Sequence, residues 1–285
     1  MAEPALAHAA AREFAFEERD FRRVCALIHA RAGIALTDSK RDMVYSRLVR
    51  RLRALNLESF GGYLDKLQAE DDADEWQAFT NALTTNLTAF FREPHHFAHL
   101  AGVLRSSRAA THTIWCSAAS TGEEPYSIAM TACEAFDTLK PPVRILATDV
   151  DTNVLDTART GVYPLERIAQ LEPERRKRFF QRGTGAMDGQ CRVRPELRAL
   201  IDFAPLNLLD AHYRVPGNLS AIFCRNVMIY FDRPTQYRVL ARMRPLLAAD
   251  GWFYAGHSES FLQAADLFRN VGRTTYKPVG PEVLA

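Results

Sequence analysis

Residues 115–126, Trp-Cys-Ser-Ala-Ala-Ser-Thr-Gly-Glu-Glu-Pro-Tyr, constrain what this chain can fold into more than any other stretch. Ile114 to Cys116 are strand formers in an apolar setting. Small residues fill the next positions, and Gly122 can take a positive φ or admit a close backbone. Pro125 suits the first turn of a helix, where a missing N–H costs nothing. A second apolar run, Val143 to Thr148, ends at Asp149. A small-residue loop after one parallel strand and an acid at the tip of the next is the layout of a nucleoside pocket in a doubly wound α/β fold, with the acid on the ribose hydroxyls. With one glycine in the loop the dinucleotide fingerprint is absent, so no pyrophosphate is expected. The competing reading is an ordinary loop between strand and helix, with a surface aspartate.

The length, 285 residues, suits one large domain or two modest ones. A net charge of +2 gives no bulk argument for nucleic acid. Five cysteines are scattered without a CxxC pair, and Cys116 and Cys224 fall in core strands. They read as buried thiols of a reducing compartment. No apolar run has the length of a membrane span, and the start lacks the pattern of a secretory signal. The expected location is cytoplasmic.

Residues 1 to about 15 read as frayed. Phe21, Val24, Cys25 and Ile28 fall at helical spacing over Glu18–Arg31, and Gly33 ends the run. A second helix, capped by Thr37 or Asp38, reaches about Leu55 with an inward stripe of Val44, Tyr45, Leu48, Leu52 and Leu55. Its other faces carry Lys40, Arg41, Arg47, Arg50, Arg51 and Arg53, which point either to an acidic partner or simply to a solvated face. Ser59 caps a third helix, and a fourth follows the acidic run Glu70–Glu75. The first 85 or so residues therefore predict an all-helical bundle.

Asn86 to Pro94 breaks the helical pattern. It reads either as a linker or as a lid whose Asn86, Thr88 and Arg92 face the cleft. His95, His96 and His99 cluster without a carboxylate or cysteine at metal-site spacing, so no metal is expected. Pro141-Pro142 leads into the Asp149 strand, Asp151 caps the next helix and Gly161 ends it. The glycines at 183, 185 and 189 and the alternating Cys191 to Arg194 predict a small antiparallel insertion over about 183–203. Leu219–Cys224 is a buried strand with Arg225-Asn226 at its tip, and the late strands suit an antiparallel edge pair.

Five ordered segments, Asn86–Arg92, Ser120–Ser127, Asn207-Leu208, Phe223–Phe231 and Gly256–Glu259, resemble those of the chemotaxis receptor methyltransferases, the CheR family. The resemblance spans roughly residues 15 to 277. It implies an S-adenosylmethionine-dependent protein-glutamate O-methyltransferase that esterifies chemoreceptor glutamates for sensory adaptation. It implies a helical domain over 1–85 and a linker over 86–94 contributing to the cofactor site. A Rossmann-like methyltransferase domain over 95–285 would follow, with a β-subdomain at about 183–203 and no repeat module after Lys277.

Carried over residue by residue, Asn86, Thr88 and Arg92 meet the methionine end of S-adenosylmethionine. One of Glu123 and Glu124, with Glu124 favoured, engages its polar groups, and Asp149 holds the ribose. Asn207 and Leu208 flank the adenine, and Arg225 and Asn226 the nucleoside or methionine portion. Arg92 and Tyr230 are the expected catalytic residues. Lys40, Arg41, Arg47, Arg50, Arg51 and Arg53 face the acidic methylation helices of transmembrane receptors. Some family members dock a receptor C-terminal peptide on the β-subdomain, which is left open here. The product is S-adenosylhomocysteine, with no metal and no nucleic acid expected, and the enzyme would associate with membrane receptor arrays. Two rival readings share the pocket: a nucleic-acid or small-molecule methyltransferase, and a cofactor-sensing scaffold that has lost transfer.

Overall fold

The computed structural model describes residues 12–70 and 72–280. Most of the stretch expected to fray, residues 1 to about 15, lies outside the described residues, as does the acid at position 71. Four helices come first: α1 (Glu18–Ala32), α2 (Arg41–Ala54), α3 (Phe60–Ala69) and α4 (Ala73–Leu83). Three of them start at a side-chain cap, whereas α2 continues from a 3-10 turn over Asp38–Lys40 with no side-chain cap bond from Thr37. Asp20 accepts from the Glu17 N–H at 3.1 Å, Ser59 accepts from Gly62 N at 3.1 Å, and Asp72 from Glu75 N at 3.1 Å. The apolar stripes converge on one core that includes Phe21, Val24, Ile28, Leu48, Leu52, Phe60 and Phe79. Inside it Glu75 is almost fully buried. Its carboxylate takes the Arg51 guanidinium at 2.5 Å and the Tyr63 hydroxyl at 2.8 Å.

The rest of the chain builds a second unit in the order α5 (His95–Ser106), β1 (His112–Cys116), α6 (Glu123–Ala135), β2 (Val143–Asp149) and α7 (Thr152–Thr160), then β3 (Val162–Pro164), α8 (Pro173–Phe179), β4 (Phe180–Arg182), β5 (Gln190–Val193) and α9 (Pro195–Arg198), and finally β6 (Ile201–Pro205), β7 (Leu219–Phe223), α10 (Arg233–Met243), β8 (Leu247–Tyr254), β9 (Phe268–Gly272) and β10 (Thr275–Pro278). Seven strands form one sheet in the order β6-β2-β1-β7-β8-β10-β9. The first five are parallel, β10 runs antiparallel to β8, and β9 antiparallel to β10. This is the Rossmann-like methyltransferase sheet with its late antiparallel pair. Buried clusters cover both faces, one with Ile114, Ile128 and Leu155, the other with Trp115, Val239 and Phe253. Chain order reverses between β1 and β7, so a crevice opens at their C-terminal tips.

The antiparallel insertion lies earlier than its glycines suggested. Its sheet is β3-β5-β4, spanning 162–193, with β5 paired to Val162–Pro164 on one side and Phe180–Arg182 on the other. The strand at Ile201–Pro205 belongs instead to the edge of the large sheet, beside β2. Three-residue strands leave no alternation to read, and the glycines mark only the turn between β4 and β5. Among the described residues no helix is long and apolar enough to cross a membrane.

Removing one partner of a buried ion pair leaves the other charge desolvated and unpaired. Glu75→Ala should therefore cost about 3 kcal/mol in urea unfolding of the full chain. A loss below about 1 kcal/mol, the range of an exposed pair, would show that the pair is not buried in solution.

Candidate functional site: a cleft at the strand tips

The tips of β1, β2 and β7 open onto a cavity of about 330 Å³, within the range of small-ligand pockets. Its far wall comes from the helical unit, through Ala32 to Thr37, Lys40, Met43 and Leu83. Two hydrogen bonds join the two sides: Ala35 N donates to the Tyr230 carbonyl at 2.8 Å, and the Asn207 side-chain Nδ2 to the Arg31 carbonyl at 2.7 Å.

The loop after β1 turns as its composition demanded. Gly122 has φ of 101°, and a Cβ there would lie 2.7 Å from the Tyr163 hydroxyl and 2.8 Å from the Ala158 Cβ. Both a positive φ and a close approach thus require glycine. Ser120, also at positive φ, turns its N–H to Asp149 Oδ2 at 2.8 Å. Asp151 N donates to Asp149 Oδ1 at 3.0 Å. Phe91, Glu93 and Asn226 adopt positive φ as well, so backbone strain gathers around this cleft, as it does at functional sites.

Asp149 is buried, and that burial raises its pKa to about 6 despite the two N–H bonds. Each of its oxygens keeps a further acceptor direction. Across the cleft, Arg92 bonds the Leu87 carbonyl at 3.0 Å and has no carboxylate within ion-pair distance among the described residues. Its side chain is half-buried at the cavity wall.

Glu124 lines the cavity, and Glu123 does not. The favoured member of the pair is the one at the cleft. Glu123 is fully buried on the other side of the loop, taking Thr121 Oγ1 at 2.6 Å and Arg167 at 3.3 Å. Of the two acids expected at the cofactor, only Glu124 thus borders the cavity. Two neighbours on a helix point about a quarter-turn apart, so only one can face the crevice. Burial pushes the Glu124 pKa up, while Arg225, donating at 2.5 Å, opposes it.

Arg225 is itself fully buried. It spans Glu124, the Arg92 carbonyl and, at 3.4 Å, Glu93. Its two terminal nitrogens are spent on Glu124 and the Arg92 carbonyl, while its buried Nε has no hydrogen-bond partner among the described residues, so it braces the cleft rather than offering a free charge. Asn86 is engaged too: its amide donates to Asp151 Oδ2 at 2.8 Å, and its carbonyl accepts from Ser120 Oγ at 3.0 Å. Asn207 spends its amide on Arg31 and its Oδ1 on Leu209 N at 2.9 Å. Val150, Leu206 and Leu208 form an apolar wall beside it. Thr88, Asn226 and Tyr230 also line the cavity, and the Tyr230 hydroxyl has no hydrogen-bond partner among the described residues.

The basic helix is less free than its sequence suggests. Arg41 pairs with Glu18 at 2.5 Å, Arg51 with Glu75, and Arg53 with Glu13, while Arg47 bonds the Ala82 and Thr84 carbonyls. Only Lys40 and Arg50 are exposed without an acid partner among the described residues. Acids distant in sequence neutralise Arg41, Arg51 and Arg53, and carbonyls occupy Arg47, which no helical-wheel reading can register.

Sequence reasoning gave no role to Glu93, Asp151 beyond its cap, or Glu259. Burial works against the charge on Glu93, yet Arg225, a backbone N–H of His257 and Asn226 hold its carboxyl below the usual range. Glu93, His95 and His96 offer ligand atoms within 4.8 Å of one another. The Arg225 guanidinium beside Glu93 opposes a dication there, and Nε2 of each histidine faces the Arg273 carbonyl. Burial lowers the His96 pKa to about 3, so this ring stays neutral.

The cleft thus gathers a guanidinium without an acid partner among the described residues, the two carboxylates of Glu124 and Asp149, and an apolar wall. A cleft of this chemistry on a methyltransferase sheet defines an S-adenosylmethionine-dependent methyltransferase. The description "CheR methyltransferase, SAM binding domain" matches residues 86–277, and "CheR methyltransferase, all-alpha domain" matches 19–84. The chain is similar to chemotaxis protein methyltransferase 2 of Pseudomonas aeruginosa, 54% identical over 268 residues, 93% of this chain and 95% of that protein. It is 53% identical over 262 residues to the chemotaxis protein methyltransferase of Escherichia coli, covering 92% of this chain and 91% of that one. A probable chemotaxis protein methyltransferase of Rhizobium etli is 38% identical over 259 residues, 88% of this chain and 96% of the relative. The chain belongs to the CheR methyltransferase family. Its activity is protein-glutamate O-methylation of chemoreceptors, with S-adenosylmethionine as donor.

A ligand that donates to Asp149 needs its ionised form. Below about pH 6 the acid is protonated, and binding must expel that proton. Affinity for S-adenosylhomocysteine should fall about tenfold for each pH unit below about 6. Calorimetry from pH 8 to pH 5 measures this. Asp149→Asn should give weak binding that is flat in pH, and an unchanged wild-type affinity across the range would remove Asp149 from the site.

Proposed function

We propose that Arg92 and Asp149 hold opposite ends of the cofactor, Arg92 its carboxylate and Asp149 its ribose hydroxyls. The observation carrying this reading is a guanidinium without an acid partner across one cleft from a buried carboxylate with spare acceptor directions. Glu124 takes the ammonium. The wall of Val150, Leu206 and Leu208 packs the adenine, with Asn207 shaping its loop through backbone bonds. Asn86 and Thr88 close the methionine end, and Asn226 and the braced Arg225 form the floor. Bound there, S-adenosylmethionine supplies an electrophilic methyl group on a sulfonium sulfur.

The receptor glutamate has an ordinary pKa near 4.3 and arrives ionised, so no residue must act as a strong base. Tyr230 uses its free hydroxyl to orient the incoming carboxylate oxygen. One O–C bond forms as one C–S bond breaks, leaving a neutral methyl ester and S-adenosylhomocysteine. Opposite charges cancel along the way, so alignment and exclusion of water by the helical wall are the protein's main contributions.

Lys40, at the cavity rim, and Arg50 present the open positive charge to the acidic methylation helix of a transmembrane receptor's cytoplasmic region. The exposed Leu87 and Ile229 flank the same opening and suit that helix's apolar stripe. The outer strands β3 and β4 are each paired on one side within their sheet, which suits a receptor tail peptide added as a further strand. The enzyme would then work in the cytoplasm at membrane receptor arrays. The helical unit, the 86–94 segment and the sheet unit act as receptor-facing wall, cofactor strap and catalytic base plate.

Arg92→Ala should weaken S-adenosylhomocysteine binding by about tenfold to a hundredfold, the loss of a charged hydrogen bond. Unchanged affinity in a calorimetric titration would dispose of its role. Tyr230→Phe should lower kcat by about tenfold while cofactor affinity holds. Base-labile tritium transferred to receptor-bearing membranes is the measurement, and full turnover would take the hydroxyl out of the reaction.

A further inference from the structure

The segment after β7 carries Arg225, Asn226 and Tyr230 to the cleft, yet its backbone is not held by the sheet. Asn226 sits at φ of 58°, a left-handed conformation that asparagine tolerates better than most side-chain-bearing residues and that its surroundings fix here. The imposing group is Glu259, from the turn after β8. The residue is 5% exposed. Oε2 accepts from Asn226 N at 3.0 Å and Gly256 N at 2.6 Å, and Oε1 from Met228 N at 2.8 Å. Burial pushes the Glu259 pKa up, and the backbone N–H bonds oppose it. Gly256 presses from the same side: a Cβ there would lie 2.3 Å from Asn226 Nδ2, so only glycine lets the two strand tips meet.

We propose that Glu259 is a positioning residue for methyl transfer: its buried carboxylate clamps the loops after β7 and β8 together and so presents Asn226 and Tyr230 to the cleft. The proposal rests on the reading that this segment meets cofactor and substrate. Met228 N opens the single helical turn Met228–Tyr230, so its bond to Oε1 sets the direction in which Tyr230 leaves the backbone. A neutral amide in place of the carboxylate supplies one acceptor oxygen for three N–H groups and turns an NH2 group toward donors. The loop must then relax, and reacting atoms misplaced by about 1 Å can cost a hundredfold in rate.

Glu259→Gln separates positioning from mere folding. Calorimetry with S-adenosylhomocysteine should give one site per chain, as in the wild type, while kcat falls roughly tenfold to a hundredfold and the KM for S-adenosylmethionine moves far less. A kcat within about twofold of the wild type, or a loss matched by a reduced number of binding sites, overturns the proposal. A wild-type chain that binds no S-adenosylhomocysteine would instead sink the cofactor reading itself. Where Glu259→Gln does not fold, amide hydrogen exchange on the wild-type enzyme decides. The N–H groups of Asn226, Met228 and Gly256 should exchange as one unit, and saturating S-adenosylhomocysteine should slow them about tenfold or more. Independent exchange, or rates that ignore the ligand, overturns it.

Discussion

The Arg225 guanidinium is the point on which the cleft depends. It sits with no exposed side-chain surface between Glu124, Glu93 and the Arg92 carbonyl. These belong to the first turn of α6 and to the segment that joins the helical unit to the sheet. A buried cation of this kind depends on its partners together, because the desolvation of a guanidinium exceeds what any one of them returns. The loop after β1, the 86–94 strap and the tip of β7 are therefore held in one arrangement. The open geometry of Arg92 follows from it: with its carbonyl fixed by Arg225, its own side chain extends into the cleft with no acid to meet.

Much of the fold was legible because its signals are local. Strand, small-residue loop and helix around Gly122, the Asp149 strand tip, the Ser59 and Asp151 caps and the apolar stripes of α1 and α2 depend on neighbours in sequence, and the structure follows them. The three-stranded sheet was placed too late in the chain, since β3 and β4 are too short to show a period and gain their partners only through β5. At the cleft, residue types gave the right neighbourhood without the right assignments. Glu123 and Glu124 look alike in sequence, and helical rotation alone separates them. Arg41, Arg51 and Arg53 read as free charge until distant acids are seen beside them. Glu93 and Glu259 carried no local signal, because their work is to hold backbone and charge from elsewhere in the chain.

The cleft combines two kinds of acid. Asp149 keeps its burial cost uncompensated by any cation, so its carboxyl stays near neutrality in its titration and open to new donors. Glu124, equally hidden, leans on Arg225. Both line the cleft, one without a cation beside it and the other tied to the frame through Arg225.

The bond from Ala35 N to the Tyr230 carbonyl has a mechanical consequence. Tyr230 hangs between two anchors, the four-helix layer on one side and the Glu259 turn on the other. Whatever leans on the outer helices therefore tugs at the backbone beneath the aromatic ring. On the receptor docking proposed above, landing and placement of the ring would share one lever.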